Sequence, residues 1–437
     1  MRVGRRKFLG AAAVGAGAAA IGCGSSEPAA TAAQPAGRAA PGSTLPPAIA
    51  ALAPMTDGVV PIADDERKAR IAKAQKLMTD QKIDAIFMEG TTSGFYYVGM
   101  RWGQSERTFG VVIPAKGAIC YVCPGFEEDR ARELIKPAFG DDVRVWQEDE
   151  SPYKVIVGIV KDRGVQFHRI GIEERVRFFI ADGVRKEFAG GEIADATPVT
   201  AGCRVIKSNA EIALMQHANN VTLAAYKAAL STLHEGMPQD ELNSNINAAY
   251  RRLGYGGAAS AQFGKWTALP HGSSTPQKLK DGDVVMIDDG VTCEGYVSDI
   301  TRTVVFGKPS QRQRDIWELE KRAQTAAFDA IKIGAPCEDV DAAARKVITD
   351  AGFGPGYKLP GLPHRTGHGI GLDGHEWTNF VKGNKTPIAV GMCFSDEPMI
   401  AIPGEFGIRL EDDVYIAEDG AHFFTKQSKS IDDPFGD

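Results

Sequence analysis

Hydrophobic and polar positions first separate two long structured regions. From Asp64 the run DDERKARIAKAQKLMTDQ places Ile71, Ala74, Leu77 and Met78 on one side at helical spacing. Four short apolar runs follow, AIFMEG, FYYVG, TFGVVIPA and AICYVC, separated by Gly, Pro and charged residues. Helical stretches recur at FEEDRARELI and EERVRFFIADGVRKEFA. Strands alternating with helices up to about residue 200 predict a compact α/β domain. A second region opens at Arg204. Ser208, with Glu211 three residues on, has the form of a capping box. It predicts a helix through MQHANNVTLAAYKAALSTL, ending near Gly236. ELNSNINAAYRRLG, stopped by Gly254, is a second helix; Gln311 to Ile333 and Glu338 to Ala351 are two more. Between and after them lie the β-runs DVVMIDD, GYVSDITRTVVF, CFSDEPMIAI and GIRLEDDVYIA. This second region therefore reads as α+β, with helices packed on a mainly antiparallel sheet. A chain of 437 residues exceeds one ordinary core, in keeping with two domains.

The first sixty residues lack these patterns. Gly4-Arg5-Arg6-Lys7-Phe8-Leu9 is a twin-arginine pair followed by an apolar pair. An Ala/Gly run then leads to Ala20-Ile21-Gly22-Cys23. The segment resembles a twin-arginine export signal ending in a lipoprotein cleavage box, with Cys23 as the lipidated residue. A plain signal cleaved near Cys23 is the alternative. Either way the expectation is a periplasmic or cell-surface protein, and in the first case a lipid anchor at Cys23 is its only membrane contact. Residues 24–60 are rich in Ala, Pro, Ser and Gly and read as a flexible tether. The organisation expected is a signal over 1–23, a linker over 24–60, an α/β domain over 61–203 and an α+β domain over 204–437. The net charge of -6 and the absence of a Lys/Arg-rich run argue against a nucleic-acid surface. Cys120 and Cys123 form a C-x-x-C, but inside a strand-like run where residues three apart face opposite sides. They read as buried small hydrophobes.

Chemistry concentrates in the last four β-runs, which keep carboxylates where burial should exclude them. In the first pair, Glu294-Gly295 is a natural two-residue turn. That register sets Asp288 opposite Thr301 and Gly290 opposite Asp299, so Asp288 and Asp299 are diagonal neighbours on one face, with Asp289 on the other. In the second pair, Glu397 and Glu411 are equidistant from Gly404 and lie across from each other. Four clustered carboxylates repel and need counter-charge; two divalent cations would supply it. His368, between glycines in Thr366-Gly-His-Gly-Ile-Gly, offers a fifth ligand. One imidazole with four carboxylates suits Mn2+, Co2+ or Fe2+, and Zn2+ less exclusively. Asp289, Asp412 and Asp413 read as solvated strand residues or halves of ion pairs with Arg302 or Arg409.

The motifs D-x-G with G-Y-x-S-D-x-T-R-T (Asp288 to Thr303), G-H-G-I-G (Gly367 to Gly371), E-P (Glu397, Pro398) and R-x-E-D (Arg409 to Asp412) resemble those of the pita-bread metallopeptidases. That family includes prolidase, aminopeptidase P and methionine aminopeptidase. RVIKSNAEIALMQHA, from Arg204, resembles the first helix of the family's catalytic domain. Residues 65 to 200 resemble the N-terminal domain of the prolidase and aminopeptidase P branch. The resemblance implies that Asp288, Asp299, His368, Glu397 and Glu411 hold two metals, Mn2+ foremost, with Asp299 and Glu411 bridging. It implies hydrolysis by a hydroxide between the metals, with Glu397 passing the proton to the leaving nitrogen. His271 would help position substrate, His375 would contact the scissile carbonyl or its oxyanion, and His364 would line the pocket. Arg409 reads as orienting Glu411 or an acidic neighbour.

These expectations add up to an exported metallo-exopeptidase that cleaves short peptides, with proline second, and assembles as a homodimer. One departure bears on specificity. After His375-Glu376 the branch often continues with an acid and a proline, whereas this chain has Trp377-Thr378. An aminopeptidase or amidohydrolase of non-proline specificity is one alternative, and a non-catalytic peptide-binding paralogue the other. Creatinase shares the fold without the metal set, and the five ligands present argue against its chemistry.

Overall fold

The computed structural model describes residues 45–437. The signal over 1–23, with Cys23, and the first part of the linker lie outside the described residues. In chain order the helices are α1 (Pro47–Ala50), α2 (Asp64–Asp80), α3 (Thr92–Val98), α4 (Glu128–Leu134), α5 (Pro152–Asp162), α6 (Phe178–Glu187), α7 (Thr197–Arg204), α8 (Asn209–Leu230), α9 (Gln239–Leu253), α10 (Gln311–Ala330) and α11 (Cys337–Asp350). The first six strands are β1 (Ala85–Glu89), β2 (Gly110–Pro114), β3 (Cys120–Pro124), β4 (Val143–Trp146), β5 (Arg169–Ile172) and β6 (Glu192–Asp195). They form one mixed sheet in the order β4-β3-β2-β1-β5-β6. α2 and α3 cover one face, α5 and α6 the other, which is why β1 to β3 are buried along their whole length. Cys120 belongs to one face's core and Cys123 to the other's.

The second half contributes β7 (Ala261–Phe263), β8 (Val284–Asp289), β9 (Thr292–Cys293), β10 (Tyr296–Val297), β11 (Ile300–Val305), β12 (Gly367–Gly369), β13 (Glu376–Phe380), β14 (Cys393–Asp396), β15 (Met399–Ile402), β16 (Phe406–Arg409), β17 (Asp412–Ala417) and β18 (Gly420–Phe423). All its ladders are antiparallel: β11-β8-β7, β13-β12-β14-β17-β18, and the hairpins β9-β10 and β15-β16. Two helix pairs sandwich these strands. Val285 and Ile287 of β8 enter the core beneath α8 and α9, while Val284 and Met286 enter the core beneath α10 and α11. The strand's two-residue period thus decides which helix pair each side chain meets. The capping box at Ser208 is formed, and Gly254 ends α9 at φ 97°.

Three expectations change. Residues 45–60 are not a free tether: Ile49 is fully buried, and Leu52, Met55 and Val59 pack on the catalytic core. Met55 N–H donates to the Leu253 carbonyl at 2.9 Å, and Arg252 donates to the carbonyls of Ala50 and Leu52. A few apolar anchors in an Ala/Pro-rich segment suffice once a helical groove receives them. FYYVG is not extended but ends α3, closed by Gly99 at φ 73°. α6 starts at Phe178 rather than near Glu173, whose carboxylate accepts from the Ser93 hydroxyl and the Arg175 N–H. No helix among the described residues is long and apolar enough to cross a membrane.

Candidate metal centre

Turn chemistry builds the first half of the site. Glu294 and Gly295 both take positive φ, 49° and 95°, as a primed two-residue turn requires. Cys293 then pairs with Tyr296, and further along Asp288 pairs with Thr301. A Cβ on Gly290 would lie 1.8 Å from the Ser298 carbonyl oxygen, so only glycine lets the chain pass between the two acids. The second hairpin pairs Met399 with Arg409 around Gly404, and the same register continues as Asp396 opposite Asp412. Glu397 and Glu411 occupy the gap between these ladders. His368 lies on β12, between β13 and β14. A Cβ on Gly367 would meet the Ser395 carbonyl oxygen at 2.1 Å, so this glycine serves strand packing rather than approach to an ion.

The five residues converge. Asp288, Asp299 and Glu411 form one group whose donor atoms lie within 4.8 Å of one another; His368, Glu397 and Glu411 form a second; Asp299, His368 and His375 form a third. Side-chain exposure is 1% for Glu411 and 2% for His368, but 26% for Asp288 and 23% for Asp299. The cradle therefore opens on the Asp288–Asp299 side. Burial, reinforced by Asp288, pushes the Asp299 carboxyl well up, and burial with Asp299 does the same to Glu411. Burial raises Glu397 to about 7, against the pull of Arg409. Arg409 touches Asp288 and lies 3.8 Å from Glu397 and 3.9 Å from Glu411, a cation set among the carboxylates.

The donor chemistry fits divalent metals. His368 Nδ1 lies 3.1 Å from the Gly369 carbonyl, to which it donates, so Nε2 carries the lone pair. That Nε2 lies 3.4 Å from Glu397 and 3.8 Å from Asp299. Burial, then His375, holds the His368 imidazole neutral, as a ligand must be.

Around the cradle, the His375 ring sits 4.1 Å from that of His368, exposed at the rim. His271 is exposed; Arg409 donates to the carbonyl of the preceding Pro270 at 3.3 Å. His364 is half-buried and lies outside the donor groups. Burial foremost, then Arg409, pushes its imidazole down to about 4.

Three acids read as solvated or ion-paired are corrected or divided. Asp412 is ion-paired, with Arg302 at 2.6 Å. Asp413 is neither solvated nor ion-paired: fully buried, it accepts the Asp299 N–H and the Asn219 amide, both at 3.0 Å. Asp289 points towards α8 and α9, where the hydroxyls of Tyr226 and Tyr250 donate to it at 2.6 and 2.5 Å. Sequence reasoning missed Thr301 as a site residue. Its hydroxyl accepts from Arg409 Nε at 2.9 Å and lies 3.0 Å from Asp288 and 2.6 Å from Glu411. Its place opposite Asp288 was the available signal.

Asp289→Asn is expected to retain the metal content of the wild type, whereas Asp288→Asn loses metal. Asp289→Ala should also cost about 1–3 kcal/mol by removing the acceptor of the buried Tyr250 hydroxyl, while Tyr226 keeps the carbonyls of Asp289 and Ile300. Metal analysis and urea unfolding of the three variants check this; loss of metal in Asp289→Asn would refute the division of roles.

A carboxylate-rich metal cradle on helix-flanked antiparallel strands, behind a smaller α/β domain, defines a pita-bread metallohydrolase. Comparison narrows the class. A family model for metallopeptidase family M24 matches residues 213–418, and one for the creatinase/prolidase N-terminal domain matches residues 70–206. An uncharacterised peptidase of Schizosaccharomyces pombe is 35% identical over 399 residues, 85% of this chain and 84% of the relative. The structure of dipeptidase PepE from Mycobacterium ulcerans matches with TM-score 0.79 at 30% identity, covering 85% of this chain and 98% of that one. A prolidase from Thermococcus sibiricus matches with TM-score 0.74 at 29% identity, over 82% and 96% of the two chains. The chain belongs to metallopeptidase family M24 and is a metal-dependent peptidase.

Proposed function

We propose that this peptidase is an exported exopeptidase that uses two divalent metals, Mn2+ foremost, to hydrolyse Xaa-Pro bonds in short peptides. The observation that supports a pair of metals is the overlap of three donor groups: Asp299, His368 and Glu411 each belong to two of them, and of these only the two carboxylates have a second oxygen to share. Bound divalent metals supply Lewis acidity and lower the pKa of water to near neutral. The chain's own residues do the rest. Thr301 and Arg409 hold Asp288 and Glu411 in place. The Glu397 carboxylate takes a proton and delivers it to the leaving nitrogen, a general acid/base step. His375, at the open rim, donates to the scissile carbonyl oxygen, and His271 and His364 position the peptide. Assembly as a homodimer and export by the twin-arginine route, with a lipid anchor at Cys23, complete the reading.

Similarity to the Thermococcus sibiricus prolidase favours proline substrates. Trp377-Thr378 beside His375-Glu376 favours a second reading, an aminopeptidase of non-proline specificity. A Mn2+-loaded assay over Xaa-Pro dipeptides, longer Xaa-Pro-Xaa peptides and non-proline controls separates the two. Cleavage confined to proline substrates is expected; turnover of the controls alone would select the second reading.

A further inference from the structure

The six residues Gly371 to Glu376 form the bend that carries His375 to the metal centre, and this bend is held from behind by ions. The Glu376 carboxylate folds back to accept the N–H groups of Leu372 at 2.8 Å and Asp373 at 3.3 Å. The same carboxylate pairs with Arg204 and, at 3.0 Å, with Lys207. Asp373 pairs with Arg204 at 2.6 Å. On its other side Asp373 accepts from Arg175 at 2.9 Å and from the Thr92 hydroxyl at 2.8 Å. Thr92 and Arg175 belong to the N-terminal domain; Arg204 and Lys207 lie where the two domains join. The side chains of Arg204, Lys207 and Glu376 are nearly fully buried. Arg204 and Lys207 hold the Glu376 carboxyl down at about 2 against the effect of burial, so it stays charged. His375 itself is exposed, at the end of this bend, with its ring 4.1 Å from that of His368.

We propose that Arg204, with Asp373 and Glu376, is a positioning device for His375, through which the N-terminal domain takes part in catalysis without touching substrate. Buried ion pairs are weak contributors to net stability, but removing one partner is costly because it leaves the other charge buried. Two acids flanking His375, one before and one after, are pinned to the same guanidinium, which sets the path of the bend that carries the ring. The inference rests on the reading of His375 as a group that meets the scissile carbonyl.

The test is a double-mutant cycle on the full-length, Mn2+-loaded enzyme, with Arg204→Met made in the wild-type and His375→Ala backgrounds. Arg204→Met should lower kcat by about tenfold or more, the scale of a small misplacement of a reacting group, with KM nearly unchanged and the metal content of the wild type. In the His375→Ala background it should cost nothing further. In the metal-free protein, amide hydrogen exchange over residues 371–376 should accelerate in Arg204→Met. Equal losses of kcat in both backgrounds, or unchanged exchange, would overturn the proposal while leaving the role of His375 standing. If His375→Ala keeps wild-type kcat, the reading of His375 fails and the proposal with it. Should Arg204→Met not fold, Arg175→Met on the more exposed side of the same cluster replaces it, with a smaller loss of kcat that must likewise vanish in His375→Ala.

Discussion

Asp299→Ala is expected to lose metal and, with it, at least about 10²-fold of peptidase activity, since even groups that only support a metal ligand carry losses approaching that size. Asp299 is shared between the donor group of Asp288 and Glu411 and that of His368 and His375, so one substitution weakens both. Its backbone is separately secured, with its N–H donated to Asp413, and the fold should survive. The variant also relieves repulsion with Asp288, the first charge that raises its carboxyl, so stability should be unchanged or slightly higher. Metal content after dialysis against Mn2+, read beside turnover, is the measurement. A variant that keeps two Mn2+ ions per chain would end the bridging assignment.

Breaking the Arg302–Asp412 pair should have the largest effect on stability. Both side chains are essentially inaccessible, at 2.6 Å. Arg302 also donates to the carbonyls of Thr301, Glu411 and Lys426, while Asp412 accepts from Thr425 and Gln324. Asp412→Ala leaves a buried guanidinium without its anion and should destabilise by about 3–5 kcal/mol. Because Arg302 grips the main chain of Thr301 and Glu411, metal affinity should fall as well. Replacing both partners, Arg302→Met with Asp412→Leu, should recover much of the stability, since the cost comes from the orphaned charge. Urea midpoints of the three proteins check this. A loss below about 1 kcal/mol in Asp412→Ala would mean that water reaches Arg302, which its burial denies.

The carboxylate cradle was legible because hairpin register is a local property. Glu294-Gly295 admits one kind of turn, and the two-residue period then carries parity outward to Asp288 and Asp299. Symmetry about Gly404 works the same way for Glu397 and Glu411. The capping box at Ser208 and the stop at Gly254 are likewise short-range.

What could not be read lies at long separation. Parity said that Asp289 faces away from Asp288, but not that Tyr226 and Tyr250 on two helices would receive it. Asp413 looked like Asp412, yet one holds the Asp299 main chain beside Asn219 and the other neutralises Arg302. Residues 45–60 have the composition of a tether and dock because α9 offers the Leu253 carbonyl, the Arg252 guanidinium and a groove. By itself the sequence determined the two hairpin registers, the helix start at Ser208, the helix stop at Gly254 and the list of ligand-type residues, since these depend on turns, caps and periods within a few residues. Only the tertiary structure decided the partner of each acid and which domain braces His375, because a buried charge takes its role from whatever the fold packs against it.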